Sequence, residues 1–262
     1  MKIVVCVKQV PDSAAKVVAE NGKISWGDAP LVINPWDEYA VETALKFQES
    51  QGANVIAVTV GDESAMEALK HALAMGCKEA ILVSDASLQK TDSQATARVL
   101  AAAIQKVAEG EGVDLVFFGR QAIDGDMGVT HAQTARVLGW PALTLVSQID
   151  NLDAAAGKIQ VQRSTEEGRQ VVEGKLPAVV SVGKDIGEPR YPSFMGIRKA
   201  SRAVIPTWSL ADLGIEAPQV HVDWSDVTNP PVREVKCEFI SGGTAQEIAE
   251  TLADKILEEK VL

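Results

Sequence analysis

The chain has 262 residues, 46% of them hydrophobic, which suits one large core or one core with an arm. Its formal net charge of -11 argues against a general nucleic-acid binder, because neutralising phosphates takes a clustered basic surface. Cys6, Cys77 and Cys237 are far apart and His71, His131 and His221 lack metal-ligand spacing, so neither a disulfide framework nor a metal centre is expected. The start of the chain lacks a signal-peptide pattern, and no run approaches the roughly 18 apolar residues of a membrane span. The expectation is a soluble, cytoplasmic protein that does not span a membrane.

Short apolar runs at residues 3–7, 55–60, 80–83 and 115–118 predict buried parallel strands, and helical patterns alternate with them. The first helix begins at Asn34 and Pro35, an N-cap followed by a residue suited to the first turn. Asp37 and Glu38 complement its dipole, Ala40, Val41, Ala44 and Leu45 form its apolar stripe, and Glu42, Lys46 and Glu49 are expected to stay wet. A second helix is predicted over 64–75, stopped by Gly76, and a third over 93–108. After the fourth strand comes a Gly-rich polar stretch at 119–130, and then a helical pattern. Beyond Pro141 the texture changes: 158–162 alternates apolar and polar, 169–172 offers a partner, and 178–182 returns as a buried strand. From 188 to 240 prolines discourage regular elements and predict an extended arm, followed by a last helix over 244–259 with Ile248, Leu252 and Ile256 on one face.

In a parallel sheet the loops at the carboxyl ends of the strands gather on one edge, where such sheets bind nucleotides. Those loops are Lys8 to Asp12, Gly61 with Asp62, and Arg120 to Thr130, with residues 34–37 in reach. Backbone N–H groups of Gly125 to Thr130 and the Thr130 hydroxyl make a phosphate cradle. Asp124 and Asp126 would repel a phosphate if they pointed inward, so at least one is expected to cap or turn outward. Read locally, Asn34 is a helix cap, Cys6 a small core residue and Trp36 ordinary packing. No Ser-His-Asp set, poised carboxylate pair or catalytic lysine stands out, and His131 at a helix start reads as structural.

Val7-Lys8-Gln9-Val10-Pro11-Asp12, Asn34 to Glu42, Ala72-Leu73-Ala74-Met75-Gly76 and Glu188-Pro189-Arg190-Tyr191 occur in that order, together with 119–130. From Met1 to about Ile215 the chain thereby resembles the β subunit of electron transfer flavoprotein. The resemblance implies an α/β fold: an open, mostly parallel, Rossmann-like sheet with helices on both faces, a small antiparallel excursion and an extended C-terminal arm. It divides the chain into a nucleotide-binding domain at 1–187 and a partner-recognition loop with arm and helix at 188–262.

It also implies AMP in the crevice, or a second FAD in electron-bifurcating members, which take a hydride from NADH. Carried over by motif, Cys6 lies beside the adenine, Asn34, Pro35, Trp36 and Asp37 along the nucleoside, and Val60 at a strand end. Gly119, Arg120, Gln121, Ala122, Ile123, Asp124, Gly125, Asp126, Met127, Gly128, Val129 and Thr130 surround the phosphate. Thr130 leans toward the AMP type, while residues 7–12 and 119–121 lean toward the bifurcating type; AMP is the leading expectation. The redox FAD belongs to the α subunit. Electrons pass from acyl-CoA or other flavoprotein dehydrogenases, as in fatty acid β-oxidation, to a quinone oxidoreductase specific for electron transfer flavoprotein. The expected place is the cytoplasm, or the mitochondrial matrix in a eukaryote. A reading of another class is a nucleotide-binding sensor with no redox role and no α partner.

Residues 188–202 carry Arg190, Arg198, Lys199 and Arg202 against Glu188, together with Tyr191, Phe194, Met195 and Ile197. Aromatic and Met anchors beside arginines are what interfaces use. In the family this segment docks dehydrogenases, with its anchor falling on Phe194; the other reading is a loop packed on its own subunit. Glu166 matches an acidic family residue that helps release the mobile flavin domain of the α subunit. Alternatively, Arg163, Glu166 and Glu167 are solvated turn charges.

Overall fold

In the computed structural model, which describes residues 1–224, 226–232 and 237–260, the first strand lies at the middle of the sheet. β1 (Lys2–Cys6) is a run of small branched residues with Ile3, Val4 and Val5 fully buried, as a parallel strand covered on both faces requires. Beyond it β2 (Gln9–Pro11) pairs with β5 (Leu31–Ile33), enclosing the hairpin of β3 (Val18–Glu20) and β4 (Lys23–Ser25). Next come α1 (Pro35–Gln51), β6 (Asn54–Val60), α2 (Met66–Met75), β7 (Glu79–Val83) and α3 (Ser93–Val107). β8 (Leu115–Gly119) leads through the Gly-rich loop into α4 (Thr130–Leu138). β9 (Ala142–Asp153), β10 (Lys158–Thr165) and β11 (Gly168–Lys175) form the antiparallel excursion, and β12 (Ala178–Val182) returns to the core. The remaining elements are α5 (Phe194–Ala200), β13 (Thr207–Trp208) and α6 (Ala245–Glu258).

The large sheet has the order β11-β10-β9-β12-β8-β1-β6-β7-β13 and is parallel from β9 to β13. The chain steps outward from β1 through β6 and β7, then crosses back to place β8 on the other side of β1. The strand order therefore reverses at β1 and β8, and their carboxyl ends open a crevice. Strand alternation divides the core in two. Ile3, Val5, Phe117 and Val180 pack with Val41, Leu45 and Leu69 of α1 and α2. Val4, Cys6, Phe118 and Val179 pack with Leu100 and Ile104 of α3 and Ala135 of α4. Burying each of these larger side chains contributes about 1.5–3 kcal/mol.

The structure departs from the sequence pattern in several places. The start of the second predicted helix is a separate 3-10 turn, Glu63–Ala65, capped by Asp62. β9 was invisible in the pattern because it is not regular: Leu145 has φ 58, and register shifts interrupt its pairing with β10 and β12. Ser181 Oγ accepts the Leu145 N–H at 3.2 Å, and Arg163 Nε donates to the Thr144 carbonyl at 2.7 Å, which fixes the bulge. Glu42, expected to stay wet, is buried, because Arg190 lies on it.

The segment 188–240 is not extended throughout. Ser193 caps α5 by accepting the Gly196 N–H at 3.0 Å, and β13 adds to the edge of the sheet beside β7. Farther along, Asp92 Oδ2 accepts the N–H groups of His221 and Val222 at 2.7 and 3.0 Å. The Asn229 amide pairs with both backbone groups of Ala19, at 2.7 and 3.0 Å. α6 starts with a capping box of Thr244 and Glu247, and its apolar residues Leu252, Ile256 and Leu257 stay exposed. No helix among the described residues is long and apolar enough to cross a membrane.

Candidate functional site

Asn34 stands at the N-cap of α1, yet its side chain makes no cap bond. Instead its Nδ2 donates to the Gln121 carbonyl at 2.8 Å, and its Oδ1 accepts the Ile123 N–H at 3.2 Å. The cap-type residue is thus diverted to hold the loop beyond β8. Asp37, in the first turn of α1, does the same for the strand ends: its Oδ2 accepts the Lys8 N–H at 2.8 Å and its Oδ1 the Gly119 N–H at 3.2 Å. Both residues are buried. Burial pushes the Asp37 carboxyl up to about 7, and the hydrogen bonds from Asn34, Lys8 and Gly119 oppose that rise.

Gly119 is where the two elements touch. A Cβ at this position would lie 2.6 Å from the Trp36 carbonyl oxygen, so only glycine lets α1 approach the end of β8. Lys8 Nζ reaches across to both carboxylate oxygens of Asp124, at 2.8 and 2.7 Å. Asp126, at φ 50, accepts from Gln121 Nε2 at 2.7 Å. Both loop aspartates are thereby engaged by neighbours. The Arg120 guanidinium lies 5.9 Å from the centre of the Trp36 ring.

Val129 precedes α4 and supplies no side-chain cap. Two helices, α1 and α4, therefore begin at this crevice without side-chain caps, each with the equivalent of roughly half a positive charge at its start. Pro35 has no N–H and the Asp37 N–H is bonded to the Asn34 carbonyl, so the free donors suited to an anion such as a phosphate lie chiefly at the start of α4. Thr130 is the first residue of α4, and Val60 ends β6 on the neighbouring strand.

The floor is dry. Cys6 is buried against the α3 and α4 layer, and burial, with the nearby Asp37 charge adding to it, raises its thiol well above the ordinary value. It is a neutral packing residue. His131 is buried with its ring 6.4 Å from that of Phe118, and burial lowers its pKa to about 4. The sequence pattern offered no sign of the Lys8–Asp124 pair or of the double acceptance by Asp37. Both depend on loops that meet only in the fold.

A second feature lies on α5. Tyr191 is 96% exposed and Phe194 80%, and Met195 and Ile197 are exposed beside them. Met195, Arg198, Lys199, Arg202 and Ala203 line an open groove of about 480 Å³. The platform beneath is rigid. Arg190 Nε donates to Glu42 Oε2 at 2.6 Å and its other nitrogens reach Glu42 and Glu49. A Cβ on Gly196 would collide with the backbone of Ala74 in α2. Glu166 is exposed in the two-residue turn between β10 and β11, in strand order well away from the crevice.

Known proteins resemble the chain over most of its length. The family model for the electron transfer flavoprotein domain matches residues 25–213. The chain is 37% identical to the caffeyl-CoA reductase-Etf complex subunit CarD of Acetobacterium woodii, over 100% of both chains. It is 32% identical to the electron transfer flavoprotein subunit beta of Megasphaera elsdenii, again over 100% of both. Similarity to the protein FixA of Azorhizobium caulinodans is 38% identity over 82% of this chain and 78% of that protein.

Proposed function

Because the chain belongs to the electron transfer flavoprotein family, we propose that it is the β subunit of a heterodimeric electron carrier whose α subunit holds the redox FAD. In this reading the crevice holds AMP, with the phosphate at the loop 119–130 and the start of α4 and the nucleoside along residues 34–37. The observation that carries it is the start of α4 without a side-chain cap at the crevice, with Asn34 and Asp37 engaged in holding its walls. When bound, the flavin of the α subunit supplies the electron chemistry. This chain supplies position: it anchors the nucleotide, and α5 presents Phe194 to an acyl-CoA or other flavoprotein dehydrogenase. Electrons then leave to a quinone oxidoreductase, and the heterodimer works in the cytoplasm. Glu166, exposed at its turn, is the acidic residue that acts on the flavin domain of the partner. The exposed apolar residues of the arm and of α6, Phe239 and Leu257 among them, suit burial against the α subunit.

A second reading has the crevice hold a second FAD in a bifurcating complex. The similarity to CarD, by its name a subunit of a reductase-Etf complex, favours it. One experiment separates the two. The chain is co-expressed with an α subunit, the complex purified, and the released nucleotides identified by chromatography and absorbance. AMP and FAD in equal amounts support the first reading, FAD alone at twice the heterodimer concentration supports the second, and no nucleotide from the β subunit overturns both.

A further inference from the structure

The geometry points to Asp37 as the positioning residue of this crevice: its carboxylate sets the separation of the β1 and β8 exits, so that an adenine nucleotide meets both loops together. The inference rests on the nucleotide reading above. A single carboxylate takes one backbone N–H from each exit, Lys8 on one side and Gly119 on the other. Few other side chains can do this, because both partners are donors and the acceptor must offer two oxygens. An amide, or a protonated carboxyl, turns one of its two ends into a donor and meets an N–H head-on. The Asp37 oxygens are occupied by the protein itself, so the residue acts on the ligand through the loops.

The charged and titratable groups around Asp37 are few. Cys6 faces it from β1 as a neutral thiol. Lys8 follows β1, and its ammonium is paired with Asp124 of the loop beyond β8. From β8 comes the Gly119 N–H, while the Arg120 guanidinium lies over Trp36. Burial brings the Asp37 proton equilibrium to about 7, so the charged acceptor and the protonated form exchange near neutral pH.

The test uses the heterodimer and equilibrium dialysis of labelled AMP, with labelled FAD in parallel, from about pH 5.5 to about pH 8.5. Wild type is compared with Asp37→Asn. At the alkaline end the variant binds on the order of tenfold to a hundredfold more weakly, the loss of one hydrogen bond to a charged group. Toward the acid end the two affinities converge, because wild type then carries a protonated Asp37. The titration of the ligand's own phosphate, near about 6, is common to both proteins and cancels in their ratio. A ratio independent of pH, or equal affinities throughout, overturns the positioning role and leaves the nucleotide reading intact. Wild type that takes up neither nucleotide overturns both. If Asp37→Asn fails to fold, the backbone amide resonances of Lys8 and Gly119 in the wild-type heterodimer are followed instead: they must shift together with pH over the range in which the AMP affinity changes, and resonances that stay fixed while the affinity changes overturn the proposal.

Discussion

Arg190, just ahead of α5, lies over Glu42 in the middle of α1 and donates to its carboxylate at 2.6 Å. Glu42 is only 6% exposed, so this guanidinium is what makes its burial tolerable. The Glu49 carboxyl, also held by Arg190, is lowered from its ordinary value by that hydrogen bond and charge. Replacing Arg190 with Ala leaves Glu42 buried without its partner and loosens the base of α5. Urea unfolding is expected to show a loss of about 2 kcal/mol, below the value for a fully buried pair because the arginine is one-third exposed. The double variant with Glu42→Gln recovers part of that loss; strict additivity would deny the coupling.

Phe194 is exposed and rests on little of its own chain. Phe194→Ala should leave the unfolding midpoint unchanged and weaken the apparent affinity for a partner dehydrogenase roughly tenfold or more, as truncation of an interface anchor does. Stopped-flow reduction of the heterodimer by the dehydrogenase measures it, and unchanged kinetics would remove Phe194 from the docking surface. Gly196→Ala, which keeps every aromatic but lifts α5 from α2, should impair the same reaction.

Two buried groups bend the pH dependence of stability in opposite directions. The Asp37 carboxyl is raised from 3.8 to about 7, so its contribution is full below about 4 and is lost as pH rises through about 7. The His131 ring is lowered from 6.5 to about 4, so its contribution is present above 6.5 and is lost as pH falls through about 4. Between these limits the slopes, up to about 1.4 kcal/mol per pH unit each, oppose one another. Wild type should show a flat profile there. Asp37→Asn unmasks stability that rises with pH, and His131→Gln unmasks stability that falls; chemical denaturation at several pH values gives both signs.

The Lys8–Asp124 pair is half exposed on the lysine side and ties the loops after β1 and β8 together. Lys8→Met should change global stability by less than about 1 kcal/mol, as surface pairs do. Release of labelled AMP should nevertheless quicken several-fold, because the loop loses a tether. A release rate equal to that of wild type would show that the pair is incidental to retention.

The parallel core was legible because buried strands and amphipathic helices write their periodicities locally. β1, β6, β7, β8 and β12 fall where short apolar runs stand, and the stripe of Ala40, Val41, Ala44 and Leu45 is buried as its spacing requires. Asn34 shows the limit of such reading. Its residue type says helix cap, while its real partners, Gln121 and Ile123, lie far along the chain. Glu42 looked solvated because its countercharge, Arg190, is more distant still in sequence. α5 was hidden among prolines, which bound a helix as readily as they forbid one, and the Leu145 bulge erased the alternation that would have announced β9.

The central place of β1 has a consequence for the nascent chain. Ile3 is hydrogen-bonded territory on both sides, registered with Val55 on one and Leu115 on the other. At roughly 5–20 residues per second of synthesis, the second neighbour emerges on the order of ten seconds after the first strand. During that interval the unit of β1, β6 and β7 presents an unpaired edge where β8 belongs, the kind of edge that invites mispairing or a chaperone. Arrival of β8 closes that edge and forms the crevice, and β8 is in turn left open until β12 pairs with it, so a ribosome-bound fragment ending short of Leu115 should bind chaperone and one with β12 clear of the ribosome should release it.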